Sequence, residues 1–285
     1  MLYSFYRNCA IALGLLVFAT SCNKNNDNAA PQVADSVYMP TVIYDGDAPL
    51  DSFVYNNDNT VATAYNGRTY QNHMNFEYNS EGKCKRVFYY LGNESQLAQV
   101  DTLVYAADGS IAFSSYYPSQ GRPIEYAVKV KFNSNGAVVS LAQDTVKRDG
   151  GYKQTLTANF TFANNNLTQY STNYYLEDGG AVESNYTSSF AFEYNQRANS
   201  WLEFYHKNPF IQVLLGYYQI ETFLFTASAN ELAKFSPTYS GSETKSYPVN
   251  NTYDNATGTL VKQQIGDDTN EYATFSFKYK KVAKK

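Results

Sequence analysis

Cysteine, histidine, methionine and tryptophan are all scarce: 285 residues hold three Cys, two His, three Met and one Trp. His73 and His206 lie far apart in the chain, and no Cys or His spacing suits zinc, so no metal or other cofactor is expected. Three cysteines make no disulfide framework, because Cys9 sits in an apolar leader, Cys22 closes it and only Cys84 remains. Cys84 lies between Lys83 and Lys85, but no His or Asn motif accompanies it, and an ordinary strand cysteine is the expectation. Charge is thin as well. Charged residues make up 17% of the chain and the net charge is −4 without a basic cluster, which excludes the electrostatic footprint of a nucleic-acid binder. No phosphate-cradling glycine loop, nucleophile elbow or HExxH helix is present. The acidic turns Asp45-Gly46-Asp47 and Asp267-Asp268 do not match the twelve-residue calcium loop. Catalysis is therefore not expected, and a hydrolase made from scattered carboxylates is the remaining enzymatic reading.

What the chain does hold is 28 Tyr, 18 Phe and 29 Asn, with 44% hydrophobic residues. Aromatic side chains suit a pleated, half-buried surface and Asn tolerates positive φ, so strands joined by polar turns are predicted. The first residues carry a different signal. Arg7 precedes an apolar run from Cys9 to Ala19, too short to span a bilayer, and then comes Ala19-Thr20-Ser21-Cys22. Small residues before a cysteine resemble the lipobox of bacterial lipoproteins. That resemblance implies a signal peptide over 1–21 and a lipid on Cys22, which would be the chain's membrane partner. Residues 22–36 then form a flexible tether, since Asn23 to Gln32 contains nothing that packs. Position two of the mature chain is Asn23, not the Asp of the retention signal known from enteric bacteria. The resemblance thus points to an outer-membrane lipoprotein, facing either the periplasm or the surface.

Over 37–285 one grammar recurs, read as a single β-repeat domain. Phe53-Val54-Tyr55, Phe76-Glu77-Tyr78, Leu103-Val104-Tyr105, Val130-Lys131-Phe132 and Phe160-Thr161-Phe162 each place an aromatic four residues before Gly or Asn. Longer-looped versions follow at Phe192-Glu193-Tyr194, Phe223-Leu224-Phe225 and Tyr253, and Phe275-Ser276-Phe277-Lys278-Tyr279 closes the series. Each unit reads as a hairpin whose Gly or Asn supplies a left-handed residue. Eight such units and a last strand predict an all-β, antiparallel up-and-down meander of about 14 to 18 strands, because neighbouring hairpins pair. A sheet that wide curls or closes into a barrel. Val128, Val130 and Phe132 alternate with Lys129 and Lys131, which fits a soluble curved sheet or, less well, an integral barrel.

Asn208-Pro209-Phe210-Ile211-Gln212-Val213-Leu214-Leu215 breaks the pattern: a helix cap, then Pro at the first helical position, predict a short helix or buried turn over one end of the sheet. A plain buried strand is the alternative. The adjacent pairs Tyr89-Tyr90, Tyr116-Tyr117, Tyr174-Tyr175 and Tyr217-Tyr218 are the candidate ligand-facing residues, since strand neighbours face opposite sides and one ring of each pair is expected on the outer face or in the lumen; the alternative is that both rings pack against cross-strand aromatics and bind nothing.

The lipobox, Asn-rich tether, aromatic-Asn-x-x-Gly units and Lys207-Asn208-Pro209-Phe210 together resemble a family of Bacteroidota lipoproteins of unknown function. Its members carry a porin-like domain similar in appearance to YD-repeat hairpin arrays. Ala106, Ala163 and Thr226 stand where YD-type units have Asn or Asp, which separates the chain from toxin-shell repeats. The resemblance implies no catalytic residue. The expected function is a lipid-anchored, cell-envelope binding module that presents a Tyr-rich sheet to a glycan, peptide or protein, with a purely structural envelope component as the alternative.

Overall fold

In the loops that follow Tyr55, Tyr78, Tyr105 and Phe132 the chain reverses the same way each time. The fourth loop residue, Asn59, Gly82, Gly109 or Gly136, sits at φ 69°, 75°, 80° and 77°. Its N–H closes on the carbonyl of the first loop residue at 3.0 to 3.1 Å. L side chains resist this left-handed region, and Gly or Asn takes it most readily, which is why the repeat keeps them there. After Phe162 the turn is shorter: Asn164 and Asn165, at φ 51° and 63°, make a two-residue hairpin loop.

The computed structural model describes residues 36–66, 72–92, 96–120, 122–147, 153–218, 220–267 and 269–283. Cys22, the leader and most of the tether lie outside them. The first eight strands are β1 (Ser36–Asp45), β2 (Ala48–Tyr55), β3 (Val61–Asn66), β4 (Asn72–Tyr78), β5 (Cys84–Leu91), β6 (Gln96–Tyr105), β7 (Ile111–Tyr117) and β8 (Arg122–Phe132). The second eight are β9 (Val138–Lys147), β10 (Lys153–Ala163), β11 (Asn166–Asp178), β12 (Ala181–Ala198), β13 (Asn230–Tyr239), β14 (Tyr247–Tyr253), β15 (Leu260–Asp267) and β16 (Asn270–Ala283). All neighbours in sequence pair antiparallel, and β1 pairs with β16 from Ser36↔Ala283 to Asp45↔Phe275, so the sixteen described strands form a closed barrel. This is the predicted meander, closed. One seam is thin: β13 and β14 share only the pairs Lys234↔Pro248 and Phe235↔Tyr247 among the described residues.

Between β12 and β13 the chain leaves the sheet for three short helices, α1 (Leu202–Lys207), α2 (Pro209–Tyr218) and α3 (Ile220–Thr226). Pro209 does begin a helix, as its cap and ring predict. Phe223-Leu224-Phe225, however, is not a hairpin strand but part of α3, and Tyr217-Tyr218 lie on α2, where strand alternation does not apply. The cause is burial from all sides. Phe204, Val213, Phe223 and Leu224 are fully buried, and a run that is apolar at every position carries neither a period of 2 nor one of 3.6.

The helices fill one mouth of the barrel. Phe204 packs on Phe53 of β2 at 5.0 Å, Phe210 on Phe113 of β7 at 6.2 Å, and Phe223 on Phe160 of β10 at 5.3 Å. Phe225 meets Phe235 of β13 at 5.0 Å, and Trp201 meets Phe277 of β16 at 5.6 Å. Strands from around the whole circumference therefore turn their apolar side inward. Their polar side is outside: Lys129, Lys131, Thr157, Asn159, Thr161 and Glu193 are exposed. A membrane-spanning barrel needs the reverse, an outward apolar band about 25 Å tall.

The repeat also tells the helices where to bond. Register shifts at Tyr55, Phe132, Phe162 and Tyr253 insert one extra residue at the start of each following strand. The N–H groups of Val61, Val138, Leu167 and Leu260 are taken by Asn208 Oδ1 at 2.7 Å, Gln212 Oε1 at 3.4 Å, Ser228 Oγ at 2.9 Å and Ser200 Oγ at 3.2 Å. Four polar side chains of the helical segment thus pair backbone donors that the bulges free from the ladder.

Candidate functional site

Alternation along β5 sends Val87 and Tyr89 into the barrel and Phe88 and Tyr90 out of it. Tyr89 is held inside: its hydroxyl donates to Asp101 Oδ2 at 2.8 Å, while Gln99 Nε2 and Ser115 Oγ donate to Oδ1 at 2.7 and 2.6 Å. Asp101 is fully buried, so these bonds are what lets a carboxylate sit in the interior. Tyr174 also points inward and packs on Tyr186 at 5.2 Å. Tyr117 shares the inner face with Phe113 and Ser115, whereas Tyr116 is outside and 40% exposed. Tyr175 is outside too, with its hydroxyl donating to Glu177 and Lys153 Nζ 5.1 Å from its ring. The side chains of Tyr217 and Tyr218 are not among the described residues.

The outer rings do not stand alone. Cross-strand register sets Tyr65, His73 and Tyr90 side by side on β3, β4 and β5. His73 stacks on Tyr90 with ring centres 4.7 Å apart and planes 8° from parallel, and Tyr65 adjoins His73 at 5.6 Å. One register step along the strands, Asn75, Phe88, Val100 and Tyr116 form a second row across β4 to β7. Arg86 caps this row with its guanidinium 5.3 Å from the Phe88 ring, and its Nε donates to Glu77 Oε2 at 2.6 Å. The Arg86 hydrogen bond holds the Glu77 carboxyl below its usual range. The result is an aromatic wall with a charged border, while elsewhere on the exterior single apolar side chains such as Val54 and Val104 are exposed.

Across the barrel the exterior has another character. Thr157, Asn173 and Thr187 form one outward row over β10 to β12, and Asn159, Ser171, Ser189 and Thr238 form the next over β10 to β13. None of these side chains is ionisable.

The remaining sequence candidates have structural places. Cys84 opens β5 at 4% exposure, and burial pushes its thiol up to about 12, far from a reactive thiolate. His73 belongs to the aromatic wall and His206 is exposed on α1. Asp267 uses Oδ1 to accept the N–H groups of Thr269 and Asn270, both at 2.9 Å, so this acidic turn ties itself. The cluster of Tyr65, His73, Phe88 and Val100 was not singled out in the sequence. Its signal is the pairing of four strands, which no single segment displays.

Compared with protein-family models and with curated proteins, the chain matches none. Among solved structures it is similar to a porin-like protein from Bacteroides uniformis ATCC 8492, at 11% identity and a TM-score of 0.34, over 86% of this chain and 97% of that one. So low a TM-score supports no inference, and the barrel rests on its own strand pairing.

Proposed function

We propose that this protein is a non-catalytic binding barrel of the cell envelope, anchored to the outer membrane by lipid at Cys22, which presents the aromatic wall of β3 to β7 to a partner. The observation that carries the reading is the pair of aligned rows, Tyr65-His73-Tyr90 and Phe88-Val100-Tyr116, side by side on the outer face of neighbouring strands, with Tyr116 exposed and the others half-buried. A partly exposed aromatic cluster with a charged rim is how a protein contact site is composed, with Tyr and Arg at its centre and border. A closed barrel has no free edge strand on which a peptide can add itself, so the contact runs through side chains.

Photo-crosslinking residues placed at Tyr90 and at Tyr116, and on the opposite wall at Thr187, test this in producing cells. Discrete products from the first two positions and none from Thr187 are expected. Equal products from both walls, or none from either, would leave the structural-component reading in its place. A glycan array with a Phe88→Ala, Tyr90→Ala variant as control separates a sugar partner from a protein one.

A further inference from the structure

A cavity of about 320 Å³ opens at the helical mouth, between the β8–β9 and β10–β11 turns and helix α1. Its apolar side is built from the buried Tyr205 and the half-buried Phe162 and Leu202. Tyr205 spends its hydroxyl on Thr226 and so offers the cavity a ring and no polar tip. Its exposed side carries Asn133, Asn135, Asn165 and His206.

The amides have been used in part, and what is left over defines the ligand. Asn133 Oδ1 accepts the N–H groups of Asn135 and Ala137 at 2.9 and 3.0 Å, which leaves its NH₂. Asn135 Nδ2 donates to Asn165 Oδ1 at 2.5 Å, which leaves the oxygen of the one and the NH₂ of the other. Gln212 is spent on Gly136 and Val138 and only holds the wall. Amide donors, an amide acceptor and an imidazole therefore line a cavity with aromatic rings in its wall, with no Asp, Glu, Lys or Arg in the lining.

We infer that this cavity binds one neutral sugar ring. A purely apolar ligand would strand the amides without partners, and a charged one would find no counter-charge. A pyranose has a C–H face for the Phe162 and Tyr205 rings and hydroxyls, each both donor and acceptor, for the three asparagines. The volume lies at the small end of ligand pockets, which suits a single ring or a chain terminus. The turns that carry the asparagines are fixed by their own hydrogen bonds, so the site is formed before the ligand arrives.

Saturation-transfer NMR on the purified full chain, with glucose, galactose, mannose and N-acetylglucosamine as probes and galacturonate and glucosamine as charged controls, decides the matter. At least one neutral sugar should bind with a dissociation constant of about 10 mM or better, and the charged controls at least tenfold more weakly. Asn135→Ala with Asn165→Gly, the latter chosen to keep the left-handed backbone, should weaken binding at least tenfold with an unchanged thermal midpoint. Asn135→Ala alone, at an exposed turn position, keeps the test readable if the double variant melts early, and should weaken binding at least threefold. Phe88→Ala and Tyr90→Ala should leave sugar binding intact, which separates this cavity from the aromatic wall. The inference is overturned if no neutral sugar binds, if galacturonate or glucosamine binds as well, or if the Asn variants bind like the parent chain.

Discussion

Three tyrosines of the repeat are bolts. The hydroxyl of Tyr55 donates to Pro40, that of Tyr78 to Val61 at 2.6 Å and that of Tyr105 to Cys84 at 2.8 Å, each reaching to the backbone of the preceding hairpin or strand. Burial pushes all three phenols well above their ordinary pKa, so they remain donors at any working pH. Tyr78→Phe and Tyr105→Phe should each cost about 1 kcal/mol in urea unfolding, the usual worth of such a bond. Ring burial stays the same, so a loss above about 3 kcal/mol would mean that the hydroxyl is not the main contribution.

Glu231 makes stability depend on pH. Only 2% exposed, it accepts the Ser200 N–H at 3.2 Å, and burial lifts its carboxyl from 4.5 to about 7, against smaller lowerings by that hydrogen bond and then by Arg197. The folded value lies above the unfolded one, so folding favours the protonated acid. Its contribution is complete below about pH 4.5 and is lost as pH rises through about 7. Turn aspartates act in the opposite sense. Asp58, Asp108, Asp254 and Asp267 are held below 3.8 chiefly by hydrogen bonds from Thr60, Ser110, Thr257 and Thr269, so they weaken the fold only as pH falls below that value. Unfolding free energy should therefore peak in mild acid and decline by roughly 2 kcal/mol between pH 5 and 7.5. Glu231→Gln should flatten that decline, and an unchanged slope in the variant would assign it to another group.

At the scale of elements, the helical segment is core rather than cover. Phe204 is fully buried and lies beside Phe53, Tyr55, Trp201 and Tyr205, so Phe204→Ala should cost about 3 to 5 kcal/mol. Trp201 is the one tryptophan and is fully buried at the start of this segment. Its emission should be blue-shifted and resistant to acrylamide, and rapid quenching in the native chain would show that the mouth opens.

Hairpins were legible because each carries its own instructions: an alternating aromatic pair, then Gly or Asn at a position that demands positive φ. Asn208-Pro209 was legible for the same local reason. Phe223-Leu224-Phe225 was not, because burial on every side erases the period by which helix and strand are told apart. The aromatic wall was half visible. Tyr90 and Tyr116 stand out as members of Tyr pairs, but which ring of a pair faces outward depends on bulges such as the one at Tyr89/Tyr90, and those belong to paired strands. The amide cavity left no trace at all, since Asn133, Asn135 and Asn165 read simply as turn residues.

At the scale of the molecule, orientation of the sheet decides its solvent. Inward Phe and Tyr, with Lys129, Lys131, Thr157 and Asn159 outward, suit a sheet that faces water on β8 and β10, and the proposed attachment to a membrane then depends on lipid. Cys22→Ser should release the chain from the membrane fraction and abolish labelling by an alkynyl fatty acid. Retention of label in the variant would refute the anchor. Purified protein added to a planar bilayer should give no conductance, because among the described residues the outward faces of β8, β10 and β12 carry Lys129, Lys131, Thr157, Asn159 and Glu193, and α1 to α3 pack against the inner faces of the strands.

Closure of the ring by β1 and β16 joins Ser36 to Ala283, the two ends of the described chain. A contact between such distant residues is slow to find, and it cannot form until the final strand has emerged. Until then the first fifteen strands wait with their aromatic side uncovered and two edges open, the state in which a sheet is most prone to pair with its neighbours. The yield of this protein should then depend on how long that state lasts as well as on folded stability, and a holding chaperone should raise it.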